Sequence, residues 1–178
     1  MSLTTTARLR LREFSLEDAA FVLRLLNEPS FIANIADRGV RSIADAERYL
    51  AEGPMTSYAR NGFGLWMVEL CEGGEPAGMC GLIRRDGLED VDIGYAFLPE
   101  HWGAGYASEA AQAALSLAAE RFGLRRVVAI VSPGNDPSVR VLERLGFADE
   151  GIVRLKDDGE PLRFFGIGLG HAPDIPSL

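Results

Sequence analysis

The 178 residues include one lysine, two cysteines and two histidines. The lysine is Lys156, so no glycine-rich turn is followed by the Lys that a Walker A loop requires. Cys71 and Cys80 fall on neighbouring strand ends and are read as free, mostly buried thiols. Neither His101 nor His171 has a second His or a Cys cluster at ligand spacing, so no metal is expected. No Gly-x-Ser-x-Gly elbow is present. No apolar run reaches 18 residues, which excludes a spanning helix and leaves no membrane partner expected. The opening Met-Ser-Leu-Thr-Thr-Thr lacks a charged-then-apolar pattern, so the expected compartment is the cytoplasm. Positive charge is also short: 18 Lys and Arg against 26 Asp and Glu leave a net charge of −8. That balance argues against nucleic acid as a partner and is compatible with a cationic one, attracted by steering. The chain can bury a real core, with no repeat or second domain. One domain over 1–178 is expected, with loose termini at 1–7 and 172–178.

What is present centres on residues 97–109, Phe-Leu-Pro-Glu-His-Trp-Gly-Ala-Gly-Tyr-Ala-Ser-Glu. The apolar run 91–98 reads as a strand that Pro99 stops. Gly103 and Gly105 open a turn, and apolar residues at 107, 110, 111, 114, 117, 118 and 122 then repeat with helical spacing. The first amides of such a helix have no internal partner and lie at the positive end of its dipole. No Ser, Thr, Asp or Asn between Trp102 and Tyr106 caps them. Two readings stand: a plain tight turn, or an anion site that a phosphate approaches closely. A Rossmann fingerprint is weakened by Ser108 where a third Gly or Ala belongs, and by the turn's late position in the chain.

In chain order, Arg8-Leu-Arg-Leu-Arg12 alternates as a half-buried strand, and Ser15 with Asp18 opens a helix that Pro29 ends. Residues 30–41 read as irregular. Ser42 and Asp45 cap a second helix, and 53–62 is a loop or ragged helix. Strands at 63–71 and 77–84 form a hairpin leading to the strand at 91–98. After the glycine turn, a helix to about residue 122 ends at Gly123, and the β-branched run 126–131 is a buried strand. Strand, helix and strand imply a parallel pair, so an antiparallel meander meets one parallel pair and a ligand cleft is expected beside it. Asp136 as N-cap and Pro137 open a helix over 138–145, ended by Gly146. Strands from Phe147 and over 160–169 follow.

Two stretches resemble the GNAT superfamily of N-acetyltransferases. Trp102-Gly-Ala-Gly-Tyr-Ala107 matches its Gln/Arg-x-x-Gly-x-Gly/Ala loop, and Asn135-x-x-Ser138 with Leu145-Gly146-Phe147 matches its Asn-x-x-Ala/Ser helix and Leu-Gly-Phe ending. The opening Arg8-Leu-Arg-Leu-Arg12, Asp92-Ile-Gly-Tyr95, Trp102-Gly-x-Gly-Tyr-Ala-Ser-Glu109-Ala and Phe147-x-x-Glu-Gly151 resemble the branch that acetylates N-termini of ribosomal proteins. Two departures stand out. Trp102 replaces Gln or Arg, and Leu142 stands where many relatives place a Tyr general acid.

The resemblance implies an α/β (α+β) fold, a mixed, mostly antiparallel sheet splayed at the parallel pair with helices on both faces. It implies acetyl-CoA as co-substrate. The pyrophosphate would meet Trp102, Gly103, Ala104, Gly105, Tyr106 and Ala107, and the pantetheine arm would meet the strand edge at Phe97 and Leu98. Asn135 would hold the arm or serve as a turn and capping residue. Arg140 and Arg144 would meet the 3′-phosphate or form a solvated helix face. Ser138 would hydrogen-bond the departing thiolate or cap its helix. A carboxylate is needed to take a proton from the amine. Asp92, on the central strand, ranks ahead of Glu150 and Glu109, each of which also reads as a surface carboxylate. The implied acceptor is a protein or peptide N-terminus. The alternatives are a small amine or, in a different class, a non-catalytic acyl-CoA sensor. A homodimer is compatible with the branch.

Overall fold

Residues on the central strands alternate between two buried faces, and two helical layers cover those faces. The computed structural model describes residues 2–170. Eight strands form one sheet: β1 (Ser2–Thr5), β2 (Leu9–Arg12), β3 (Leu65–Leu70), β4 (Pro76–Ile83), β5 (Asp92–Phe97), β6 (Arg126–Val131), β7 (Ala148–Val153) and β8 (Leu162–Gly168). Their order is β1-β2-β3-β4-β5-β6-β8-β7. Every neighbouring pair is antiparallel except β5 with β6, which run parallel. On β3, Trp66 and Val68 enter one core while Met67 enters the other. On β5, Ile93 and Phe97 face the first core and Ala96 the second, the two-residue period of a strand buried on both sides.

Helix α5 (Tyr106–Glu120) covers the first face with α6 (Asp136–Leu145). Its buried residues include Ala110, Ala111, Ala113, Ala114 and Ala118, so the helix backbone lies close to the sheet. The second face is covered by α1 (Ala19–Leu26), α2 (Pro29–Asn34) and α3 (Ile43–Leu50), with α4 (Thr56–Asn61) leading into β3. Ser15 N–H donates to Asp18 Oδ2 at 2.9 Å, and Ser42 Oγ accepts from Asp45 N–H at 3.1 Å, as the capping patterns anticipate.

Several expectations are corrected. Residues 2–5 are not loose: they pair with β2 as an edge strand. The expectation of loose residues at 172–178 lies outside the described residues. Pro29 does not merely end a helix. It occupies the first turn of α2, where its missing N–H costs nothing, so 30–41 is not wholly irregular. The N-cap of α6 is Asn135 rather than Asp136, its side chain accepting from Ser138 N–H at 3.4 Å. Cys80 is buried but Cys71 is exposed, and both are free.

Candidate active site

The turn between β5 and α5 has the form its glycines require. Gly103 and Gly105 have φ of 78° and 82°, a left-handed region that a β-carbon disfavours. Gly105 is the N-cap of α5, and no side chain caps the helix start. The Oγ of Ser108, one turn in, is buried without a hydrogen-bond partner and lines the adjoining cleft. A ligand with several acceptor oxygens fits this arrangement of bare amides and an unpaired hydroxyl.

The turn is strapped from outside by Arg8, a contact the sequence did not reveal. Arg8 Nη1 donates to Ala104 O at 2.8 Å, Nε donates to Glu109 Oε2 at 2.7 Å, and the guanidinium lies 4.6 Å from the Tyr106 ring centroid. Glu109 also accepts from Thr6 Oγ1 at 2.6 Å. Burial opposes its ionisation, but these donors hold its carboxyl below the usual range. Glu109 therefore anchors the turn and is not placed on the cleft.

Strand β5 separates from β6 almost at once. Their only register pair is Asp92 with Val128, and Val128 N–H donates to Val91 O at 2.9 Å. On the other side Leu98 N–H donates to Ala77 O at 3.0 Å. The period of two therefore turns the Ile93 carbonyl, both backbone groups of Tyr95 and the Phe97 N–H into the opening. This corrects the expected arm-binding edge. The Leu98 amide is spent on β4, and Phe97 O accepts from Trp102 Nε1 at 2.9 Å. Trp102 has lost a Gln or Arg side chain but keeps its backbone at the turn, and its indole closes the end of the strand.

At the head of α6, the Ser138 Oγ lies 2.8 Å from the Tyr95 hydroxyl, which also donates to Ser138 O at 3.1 Å. Burial pushes Tyr95 up to about 12, so it holds its proton at neutral pH. No sequence motif pairs residues 95 and 138. The partner becomes visible only when β5 and α6 meet across the splay. The position where relatives carry a Tyr acid, Leu142, is fully buried in the core.

Asp92 lies at the other end of the opening. It is 1% exposed, and Arg85 approaches its two oxygens at 3.4 Å. Burial pushes its carboxyl up to about 6, while the Arg85 charge opposes the shift. A cleft of about 910 Å³ joins these parts. It is lined by Asp92, Phe97, Trp102, Gly103, Gly105, Tyr106, Ala107, Asn135, Ser138 and Arg144, so the structure brings together most of the residues singled out in the sequence. It does not bring Glu150 there: Glu150 sits on exposed β7, paired with Arg126 Nη2 at 2.8 Å. Leu98, Ala104 and exposed Arg140 are also off the cleft wall. Among the described residues, no cluster of His, Cys, Asp and Glu could hold a metal, and no helix is long and apolar enough to cross a membrane.

A sheet opened at one parallel pair, with a bare helix start at one end of the gap and a buried carboxylate at the other, has the shape and donors that suit an extended, phosphate-bearing ligand. The chain belongs to the GNAT acetyltransferase family: the acetyltransferase (GNAT) domain matches residues 8–148. It is 32% identical to the uncharacterised N-acetyltransferase p20 of Bacillus licheniformis over 153 residues, 84% of each chain. An acetyltransferase from Agrobacterium tumefaciens superposes with a TM-score of 0.78 at 26% identity, covering 94% of both chains. The ribosomal α-N-protein acetyltransferase RimL, solved in complex with coenzyme A, shares the fold with a TM-score of 0.78 at 19% identity, over 95% of this chain and 98% of that one. Family members use acetyl-CoA, and this chain is an N-acetyltransferase of that family.

Proposed function

We propose that this protein transfers the acetyl group of acetyl-CoA to the α-amine of a peptide or protein. The observation that carries the reading is the continuity of the cleft, from uncapped amides through an unpaired strand edge to a buried carboxylate. The amides of Gly103, Gly105, Tyr106 and Ala107 and the Ser108 hydroxyl would hold the pyrophosphate. The open groups of Tyr95 and Phe97 would pair with the amides of the pantetheine arm, and Asn135 keeps its side-chain N–H groups for the same arm. Acetyl-CoA supplies an activated acyl group as a thioester.

The protein's own groups then handle two protons. An acceptor amine is mostly protonated at neutral pH, and Asp92, titrating near 6, is poised to accept that proton directly or through water. The Ser138 hydroxyl would donate its proton to the departing thiolate as the Tyr95 hydroxyl turns its own proton from Ser138 O to Ser138 Oγ. The peptide reading is supported by the likeness of Asp92-Ile-Gly-Tyr95 and the 102–110 stretch to the ribosomal-protein branch, and by the RimL fold match. The test is acetyl-CoA turnover on peptides with a free N-terminus, scored by CoA thiol release. Blocking the N-terminus should abolish release and blocking lysine side chains should not. Faster turnover of free amino acids or polyamines than of every peptide would overturn the peptide reading.

A further inference from the structure

The end of the cleft around Asp92 carries more positive charge than its one carboxylate needs. Among the described residues, the charged groups on the cleft wall, His101 aside, are Arg38, Arg85, Arg144 and Asp92. This is the reverse of the chain as a whole, in which acidic residues exceed basic ones by 26 to 18. Arg144 lies on α6, apart from the other two. Arg38 and Arg85 line the same cleft as Tyr49 of α3, and both charges act on its hydroxyl, opposing the rise that burial imposes. Arg85 contacts Asp92 only at 3.4 Å, long for a charge-assisted hydrogen bond, and Arg38 has no ion pair among the described residues.

Cofactor phosphates do not account for this pair. Strand β5 runs from Asp92 to Phe97 toward the glycine turn, and at about 3.3 Å per residue it places Asp92, with Arg85 against it, roughly 16 Å from the strand end that leads into the turn. Arg85 therefore stands at the acceptor end, and Arg38, whose charge acts on the same Tyr49, lines the cleft with it. An ammonium entering there meets two guanidinium groups, and a bare cationic amine is repelled by them. An amine that brings its own carboxylate offers both arginines a partner while its nitrogen reaches Asp92.

We propose that Arg38 and Arg85 form an anion subsite, and that the acceptor is a primary amine bearing a carboxylate a few bonds from its nitrogen. The inference rests on the acetyl-transfer reading, but not on the acceptor being a peptide. The carboxylate comes either from an acidic side chain beside a peptide N-terminus or from a free amino acid's own α-carboxyl group.

Matched acceptors test this, with CoA thiol release as readout. The peptide arm compares Ser-Asp and Ser-Asn N-termini on one otherwise identical sequence. The amino-acid arm compares serine with serinamide. In at least one arm, kcat/KM should favour the carboxylate by roughly tenfold or more, and the arm that does so names the source. The same ratio should fall toward one in Arg38→Gln and be retained in part in Arg38→Lys. Arg38 is exposed, so neither change disturbs the core. Equal or faster turnover of the neutral acceptor in both arms overturns the subsite and leaves acetyl transfer standing. So does a preference that survives Arg38→Gln undiminished. If no amine in either arm releases CoA thiol, acetyl transfer fails and the subsite fails with it.

Discussion

Asp92 is the residue whose chemistry depends most on where the fold puts it. On the strand it is an ordinary carboxylate in an apolar run; in the structure it is 1% exposed, with a carboxyl pushed up to about 6. Because the folded value lies above the unfolded one, the folded state holds the extra proton between about pH 4 and pH 6, and stability is lost as pH rises through that window. Asp92→Asn removes the buried charge. Its stability relative to wild type should therefore improve from pH 4 to pH 7.5 by something on the order of 2 kcal/mol, read from denaturant midpoints. A stability difference that is flat across this range would contradict the burial effect. If Asp92 is the base, kcat/KM in the wild type should rise through an inflection near pH 6 that Asp92→Asn lacks. Ser138 and Tyr95 form the other unit. Ser138→Ala should lower kcat by roughly tenfold to a hundredfold with little change in donor affinity, and Tyr95→Phe should lower it less. The double variant should fall short of the product of the two, since both changes break one hydrogen bond. Additive losses would show that Tyr95 does not act through Ser138. The Ser138 position was legible from its motif, but its partner, 43 residues away, was not.

Among the elements, the glycine turn was the most legible part of the chain because its signal is local: two glycines, no capping side chain and a helical apolar period immediately after. Gly105→Val should keep the fold and abolish the rise in melting temperature that acetyl-CoA produces, since a β-branched residue cannot hold φ of 82° without strain and would crowd a phosphate. In the wild type, acetyl-CoA at about 100 times its dissociation constant should add roughly 2.7 kcal/mol of stability. Unimpaired binding by Gly105→Val would remove the turn from the site. Elements defined by distant contacts were missed. Residues 2–5 hold one apolar side chain, Leu3, are four residues long and are partnered only on one side, so little in their pattern announces β1. The Arg8 strap joins residues about a hundred positions apart, where sequence periodicity has no reach. Glu150 was misplaced for the same reason: its Phe-x-x-Glu-Gly context does not show that β7 lies at the far edge of the sheet, beyond β8.

At the scale of the whole molecule, net charge and local charge point in opposite directions. A chain at −8 draws cationic partners toward its surface, which was the expectation from composition. Beyond a Debye length of about 8 Å at physiological salt that field is screened, whereas Arg38, Arg85 and Asp92 act at contact within the cleft. The contact charges should therefore decide the residues next to the acceptor amine, and the surface field only the rate of approach. Overall charge is read from composition, but its sign at the site depends on which few residues the fold gathers there. The central claim is that the acetyl group ends on the α-amine of a peptide or protein. It is tested most directly by incubating the protein with acetyl-CoA and a peptide that carries a free N-terminus, an acidic second residue and an internal lysine, then locating the acetyl group by fragmentation mass spectrometry. The expected result is acetylation of the N-terminal nitrogen with the lysine unmodified; acetyl on the lysine, or none on the peptide, would contradict it.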